Sequence, residues 1–367
     1  MRTVIAISVG IHAPFALAAA APFAWAGLRA PIAWGAGVAL ALALLVGVRL
    51  RPLISDRRRG ALESLWEQPY LVHLTAAFGG ALPISVASGL ALFVAPARVF
   101  DVALATYAAF ALLTGYGTFV LRHWFRVRRL DVVVSGLPAS FDGFRIAHLS
   151  DLHVGGLLPD WIVGRWVGAV EREEVDAIAV TGDLVTSGTF FHEEAARVVS
   201  AFSAPSGVFL SFGNHDYFDN QDLADKLRAR GVRVLKNAHE WLVRGDDRLR
   251  IAGVDDTWTG HADLSATLLG GDGAPTVLLA HDPDLFDDAA DAGAHLVLSG
   301  HTHAGQIALP FFPREVSLAN LAHTYRWGRY ERGASTLYVS AGLGTTGLPL
   351  RIGAAPEIAI VTLRAPR

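Results

Sequence analysis

Cysteine is absent from all 367 residues, and lysine is absent from the first 130. Without thiols the chain has no disulfide scaffold, no cysteine zinc site and no thiol nucleophile. Acidic residues are also scarce in the first third: twelve Arg face only Asp56, Glu63, Glu67 and Asp101, a balance of +8 over residues 1–130. The remainder is −11 and holds eleven of the 14 His. That acidic, His-rich part excludes nonspecific nucleic-acid binding, which works by neutralising phosphates with Lys and Arg.

What the first third has in quantity is apolar sequence. A bilayer core of about 30 Å takes about 20 apolar residues in a helix. The runs 4–28, 31–48, 70–97 and 102–121 predict a transmembrane domain of about four helices over residues 1–130, with a second domain over 131–367. Pro14, Pro22 and Pro83 lie within the runs, which a membrane bundle tolerates. Trp25, Trp34, Tyr70 and Trp124 fall near predicted span ends, where interfacial aromatics belong. A cleaved signal peptide is the alternative reading of the first run, with Ala18 to Ala21 as a small-residue cleavage site. Arg49, Arg51, Arg57, Arg58 and Arg59 in one loop, and Arg122, Arg126, Arg128 and Arg129 after the last span, set both segments on the cytoplasmic side of the inner membrane. The second domain then faces the cytoplasm, and the Arg122–Arg129 segment is also placed to meet anionic lipid headgroups. His12 and His73 read as neutral imidazoles bonded within the bundle, because no acid lies in their spans.

After Leu130 the pattern changes to short β-rich runs, five of which end in polar clusters. Phe144 to Leu149 leads into Asp151-Leu152-His153, Ala177 to Val180 into Gly182-Asp183, and Val208 to Phe212 into Gly213-Asn214-His215-Asp216. Thr276 to Ala280 meets His281-Asp282, and His295 to Leu298 meets Gly300-His301-Thr302-His303. Sheets of α/β proteins carry their sites beyond the strand C-termini. Helices are expected from Asp160 to about Glu173, over Phe191–Phe202 and over Asp222–Arg230. Carboxylates, one amide oxygen and imidazoles suit Mn, Fe or Zn, and their number exceeds what one ion needs. Two ions sharing a carboxylate would hold a bridging hydroxide for in-line attack at phosphorus.

Together these motifs resemble the signature of the calcineurin-like metallophosphoesterases, and the segment Gly342 to Pro349 resembles their bacterial, membrane-anchored phosphodiesterase branch. The resemblance implies a four-layer α/β/β/α sandwich of two mixed sheets. It implies Asp151, His153 and His303 on a first metal, Asn214, His281 and His301 on a second, Asp183 bridging, and His215 as the catalytic group beside the phosphate, with Mn favoured among the divalent ions. Asp216 is expected to orient His215. The chain lacks the Val-Asp-Arg-Gly stretch that follows the bridging Asp in protein phosphatases of the superfamily, reading Leu184-Val185-Thr186-Ser187 instead, which disfavours a protein substrate.

The expected function is a membrane-anchored phosphoester hydrolase acting on a diester or pyrophosphate, with a lipid-linked substrate in view and membrane lipids as surroundings. A phosphodiesterase for a soluble nucleotide and a non-catalytic membrane scaffold or sensor are the alternatives. Arg351 reads as a surface residue rather than a phosphate clamp, and Gly342 to Pro349 as a turn or a backbone phosphate cradle. His148 and His295 read as core or supporting residues, and His192, His239, His261 and His323 carry no assignment. The apolar residues of Ala308 to Trp327, among them Leu309, Phe311, Phe312, Leu318 and Leu321, fit a lipid-facing lid or a buried segment equally.

Overall fold

In a computed structural model of the chain, the backbone is described for residues 2–53, 61–270, 273–309, 312 and 315–366. Arg57 to Arg59, Phe311 and the side chains of Arg49 and Arg51 lie outside the described residues. The chain divides into two compact units, the first drawn mainly from residues 1–120 and the second from 121–346 and 350–367.

In the first unit the uncharged runs become α1 (Arg2–Trp25), α2 (Pro31–Leu53), α3 (Ala61–Val94) and α4 (Val99–Phe119). Among the described residues three helices are long and apolar enough to cross a membrane, and a shorter apolar stretch covers Pro31–Leu45. Pro14 and Pro22 sit inside α1, and Pro69 and Pro83 inside α3. Phe15, Ala18, Ala39, Ile84 and Ala103 pack in the bundle interior, while Leu82, Phe93 and Leu112 stand exposed, the inverse of a soluble surface. His12 is bonded as its spans required: Nδ1 donates to the Ser8 carbonyl at 2.7 Å and Nε2 lies 3.2 Å from His73 Nε2. The Tyr107 hydroxyl closes the network, 2.8 Å from His73 Nδ1. Interhelical hydrogen bonds of this kind fix helix register in an apolar medium.

The second unit opens with β1 (Arg126–Val133), then β2 (Arg145–Leu149), α5 (Asp160–Glu171), β3 (Ala177–Thr181), α6 (His192–Ser200), β4 (Val208–Ser211), α7 (Asn220–Arg228) and β5 (Arg233–Val234). It continues with β6 (Ala238–Arg244), β7 (Asp247–Gly253), α8 (Leu264–Leu268), β8 (Thr276–Leu279), α9 (Phe286–Asp291), β9 (Leu296–Ser299), β10 (Gly328–Arg332), β11 (Ser335–Val339) and β12 (Glu357–Arg364). One sheet has the order β1-β12-β2-β3-β4-β5 and the other β10-β11-β9-β8-β7-β6. Both are mixed: β12 runs antiparallel to β2, and β6 and β10 are antiparallel to their neighbours, while the strands between are parallel.

Ile146, Ala179 and Phe209 of the first sheet meet Ile251, Val277, Leu298 and Tyr338 of the second in a shared core. The opposite face of the first sheet is covered by Ile162 and Trp166 of α5, Val198 of α6 and Leu227 of α7. The opposite face of the second is covered by Phe286 and Ala289 at α9. Two sheets face to face with helices outside make the four-layer α/β/β/α sandwich.

The Arg-rich segment after α4, read from the sequence as a cytoplasmic flank, opens the first strand of this unit. Strand β1 starts at Arg126 and pairs in parallel along its whole length with β12, Arg126 opposite Glu357 and Val133 opposite Arg364. Two of its arginines are bonded inside this unit: Arg129 binds Glu173 bidentately, and Arg128 lies 3.3 Å from Glu357. As an edge strand it can carry that charge, which discourages further strand pairing.

Candidate metal centre

Each motif sits where its strand ends. Asp151 and His153 follow β2, Asp183 follows β3, Asn214 and His215 lie in a 3-10 turn after β4, His281 follows β8, and His301 and His303 follow β9. Five of these residues, Asp151, His153, Asp183, His301 and His303, take positive φ between 45° and 69°. Such left-handed positions cost about 1–3 kcal/mol each for residues with a side chain and persist only where the surroundings over-determine them. The tight turns swing the ligand-type side chains back across the strand ends instead of letting the chain run on.

The result is two buried clusters. Asp151, His153 and His303 form one, and Asp183, His281 and His301 the other, each with ligand atoms within 4.8 Å of one another. In the first, His303 Nε2 lies 3.0 Å from His153 Nε2 and 3.4 Å from Asp151 Oδ1. In the second, His281 Nε2 lies 3.2 Å from Asp183 Oδ2 and 3.1 Å from His301 Nδ1. Asp183 Oδ2 is also 3.7 Å from His153 Nε2, so this carboxylate stands between the clusters. Its other oxygen accepts the His215 backbone N–H at 2.9 Å.

Supporting bonds fix the orientations. His281 Nδ1 donates to the Thr181 carbonyl at 2.8 Å, leaving Nε2 to face the cluster, as a metal ligand's imidazole is usually held. Thr181 also bonds His148 at 2.8 Å, which is thereby a buried supporting residue. The Asp151 carboxylate accepts the His301 backbone N–H at 3.1 Å. Asn214 Oδ1 is buried and has no hydrogen-bond partner among the described residues, an orphan acceptor that a cation would satisfy. The backbone is equally committed: a Cβ at Gly213 would fall 2.4 Å from Asp183 Oδ1, and one at Gly300 2.3 Å from Asp151 Oδ2.

Burial holds His153 and His301 near 3, so both imidazoles are neutral, the form that ligates metal. Burial raises Asp151 to about 6. Burial alone would also raise Asp183, but the adjacent His281 and His153 outweigh it and hold the carboxylate well below its usual range. The reverse holds at His281, where burial is overcome by Asp183 and Asp151 and the imidazole rises well above its ordinary value. The pocket thus favours cationic charge at its centre, and a bound metal would displace the His281 proton. An O/N donor set without thiolate, two separate clusters and an orphan amide oxygen fit divalent ions.

His215 differs from the rest. Its Nδ1 donates to the Thr186 carbonyl at 2.7 Å, and its ring meets that of His153 edge-on at 5.0 Å between centroids. Asp216 does not orient it as expected. The Asp216 carboxylate is wholly buried and accepts N–H bonds from Leu184 at 2.8 Å, Val185 at 3.4 Å and Gly213 at 3.0 Å, tying the turns that carry Asp183 and Asn214 together. Burial and the neighbouring Asp183 charge raise it to about 7.

Two further readings are corrected. Arg351 is neither exposed nor free for phosphate: it is fully buried and donates to the carbonyls of His303, Ala341, Gly342 and Gly344. The amides of Leu343 and Gly344 donate to the carbonyls of Ser150 and Asp151, so this stretch buttresses the first motif rather than cradling an anion. Sequence reasoning missed Trp258 and His323, whose rings both lie 5.1 Å from that of His301. No local signal marked them, because each comes from a loop outside the strand-end motifs. Of the apolar residues between Ala308 and Trp327, Leu309, Phe312, Leu318 and Leu321 are exposed.

Comparison with known proteins accords with this geometry. The model of the calcineurin-like phosphoesterase family matches residues 144–305. The chain is similar to the uncharacterized metallophosphoesterase YkuE of Bacillus subtilis, with 32% identity over 257 residues covering 68% of this chain and 90% of that protein. An uncharacterized metallophosphoesterase of Aquifex aeolicus is 31% identical over 69% of this chain and 97% of its own length. A zebrafish transmembrane protein with metallophosphoesterase domain is 32% identical over 69% of this chain, which spans 61% of that relative.

Proposed function

The chain belongs to the calcineurin-like metallophosphoesterase family, and from that premise we propose that it is a membrane-anchored phosphodiesterase or pyrophosphatase working with two divalent ions, Mn²⁺ foremost. The observation that carries the two-ion reading is the Asp183 carboxylate, set between the buried Asp151/His153/His303 and His281/His301 clusters. Asp151, His153 and His303 would hold one ion and His281, His301 and Asn214 the other, with Asp183 placed where both could share it.

Bound ions of this type supply an activated water and neutralise charge developing on phosphorus-bound oxygens. The protein's own groups do the rest. Burial keeps His153 and His301 neutral and ready to ligate, and the hydrogen bond that His281 Nδ1 donates to the Thr181 carbonyl keeps that imidazole in register. His215, fixed through Nδ1 by Thr186, presents Nε2 to the phosphate and delivers a proton to the departing oxygen. The chain passes from α4 to β1 within a few residues, which supports a substrate drawn from the membrane, with the hydrolase on the cytoplasmic side as the arginine distribution indicates.

The test is hydrolysis of bis(p-nitrophenyl) phosphate and p-nitrophenyl phosphate by the detergent-purified full chain with Mn²⁺, alongside Asp183→Ala. Diester cleavage that disappears in the variant, with metal content falling below two ions per chain, is the expected result. Wild-type protein that binds no metal, or cleavage that persists in Asp183→Ala, would overturn the proposal.

A further inference from the structure

Trp258 is 62% exposed, and unlike the other exposed indoles it stands against a residue of the metal-ligand clusters, His301. It is not on a loose loop. The turn carrying it is pinned by Thr257 Oγ1 donating to Asp282 at 2.6 Å, by Thr259 N–H to Asp256 at 2.7 Å and by His261 N–H to the Asp256 carbonyl at 3.0 Å. Beside it stands His323, whose Nδ1 lies 3.2 Å from Asp284 Oδ2. Asp284 Oδ1 in turn accepts the Thr324 N–H at 3.1 Å, so the segment bearing the imidazole is anchored too. The two rings lie 6.4 Å apart between centroids and flank His301.

Position relative to the rest of the site gives this pair a meaning. His215, the proton donor for the departing oxygen, packs on His153 of one cluster, whereas Trp258 and His323 pack on His301 of the other. A phosphorus centre held at the cluster junction would direct its leaving group to the His215 end. Its other ester substituent would then be directed to the Trp258 end. A monoester has nothing to place there.

We propose that Trp258 and His323 form a subsite for the retained ester substituent, and that this substituent presents a ring face: a nucleobase, a sugar or an aryl group. The inference rests on the proposed phosphodiesterase reading and deepens it by naming what lies on the non-leaving side. An exposed indole is matched by a flat or ring-shaped partner, since stacking works over any π-face or CH-rich ring.

The test holds the leaving group constant and varies the retained substituent. Methyl p-nitrophenyl phosphate, bis(p-nitrophenyl) phosphate and thymidine 5′-(p-nitrophenyl phosphate) all release p-nitrophenol. In Trp258→Leu, kcat/KM for the two ring-bearing diesters relative to the methyl diester should fall about tenfold, the effect of one lost stacking contact. Trp258→Phe, which keeps a ring, should recover most of that ratio. A second readout needs no turnover: in a His215→Ala background, calorimetric Kd for the thymidine diester should rise about tenfold on adding Trp258→Leu.

An unchanged ratio, or an equal fall for all three diesters, would overturn the subsite. Failure of the wild type to cleave any diester would count against the phosphodiesterase reading instead. In that event the binding arm still decides the subsite, which an unaltered Kd would sink.

Discussion

Replacing Gly213 by alanine tests how closely the Asp183 carboxylate is packed against the turn after β4. Gly213 has φ −112° and ψ 176°, ordinary extended backbone open to any residue, so the substitution introduces no conformational strain. The whole effect comes from one methyl group. Its carbon would sit 2.4 Å from Asp183 Oδ1, 2.8 Å from Asp183 N and 2.8 Å from His281 Cδ2. A relaxed carbon–oxygen contact is about 3.3–3.6 Å, so Asp183 or the strand-end turn must retreat by about 1 Å. Overpacking of this kind costs about 1–3 kcal/mol, which for a domain of this size lowers Tm by roughly 2–12 °C. A misplacement of about 1 Å at a reacting centre costs on the order of 10²-fold in rate. Gly164→Ala is the control, because a Cβ there meets nothing within 4 Å and α5 gains helix propensity. The assay is diester hydrolysis with Mn²⁺, metal content per chain by mass spectrometry and a thermal melt of both variants. A Gly213→Ala protein that keeps two ions and full turnover would refute the placement of Asp183 against residue 213.

Asp216→Asn replaces one of the two accepting oxygens with a donor that faces an N–H, so Tm should fall by the equivalent of about 1–3 kcal/mol together with kcat, and a calorimetric scan showing no loss would contradict the tie between the two turns. Arg351→Met strips the donors from four buried carbonyls; a loss of about 3 kcal/mol in denaturant unfolding is expected, and an unchanged midpoint would show those carbonyls to be satisfied otherwise. Glu173 is held below its ordinary value of 4.5 by its hydrogen bond from Arg129, against burial and with Arg145 assisting. A depressed carboxyl stabilises the fold above that ordinary value and loses its contribution as pH falls through the lower folded value. The Tm gap between wild type and Glu173→Gln should therefore be open at pH 7 and narrow below about pH 4, and a gap constant from pH 7 to 3 would rule the ion pair out as its source.

How far the sequence could be read depended on whether an element's signal was local. The strands ending in Asp151, Asp183, Asn214, His281 and His301 were legible because a buried parallel strand is a bare apolar run, and a metal-type cluster marks its end. Helices α5, α6 and α7 were legible between those strands, within a few residues of the ranges expected for them. Strand β1 was hidden: Arg126-Val-Arg-Arg-Leu-Asp-Val-Val has the charge of a topology signal, and only its partner β12, more than 220 residues later, makes it a strand. Arg351 was misread for a similar reason, since nothing beside it in sequence supplies the carbonyls of His303, Ala341, Gly342 and Gly344 that bury it. Asp216 lay in a legible motif, yet its partners Leu184 and Val185 are contributed by another strand's turn.

The seat of β12 between β1 and β2 has a consequence for synthesis. Among the described residues β1 pairs with this strand alone, so the first strand of the hydrolase domain to leave the ribosome waits for the last. Some 230 residues separate Val133 from Arg364, which at 5–20 residues per second is about 10–50 s of translation. Throughout that interval the Arg-rich segment lacks the partner that makes it a strand. The hydrolase domain is therefore completed only when β12 has been made, and a ribosome that stalls before residue 357 leaves the first sheet open between β1 and β2.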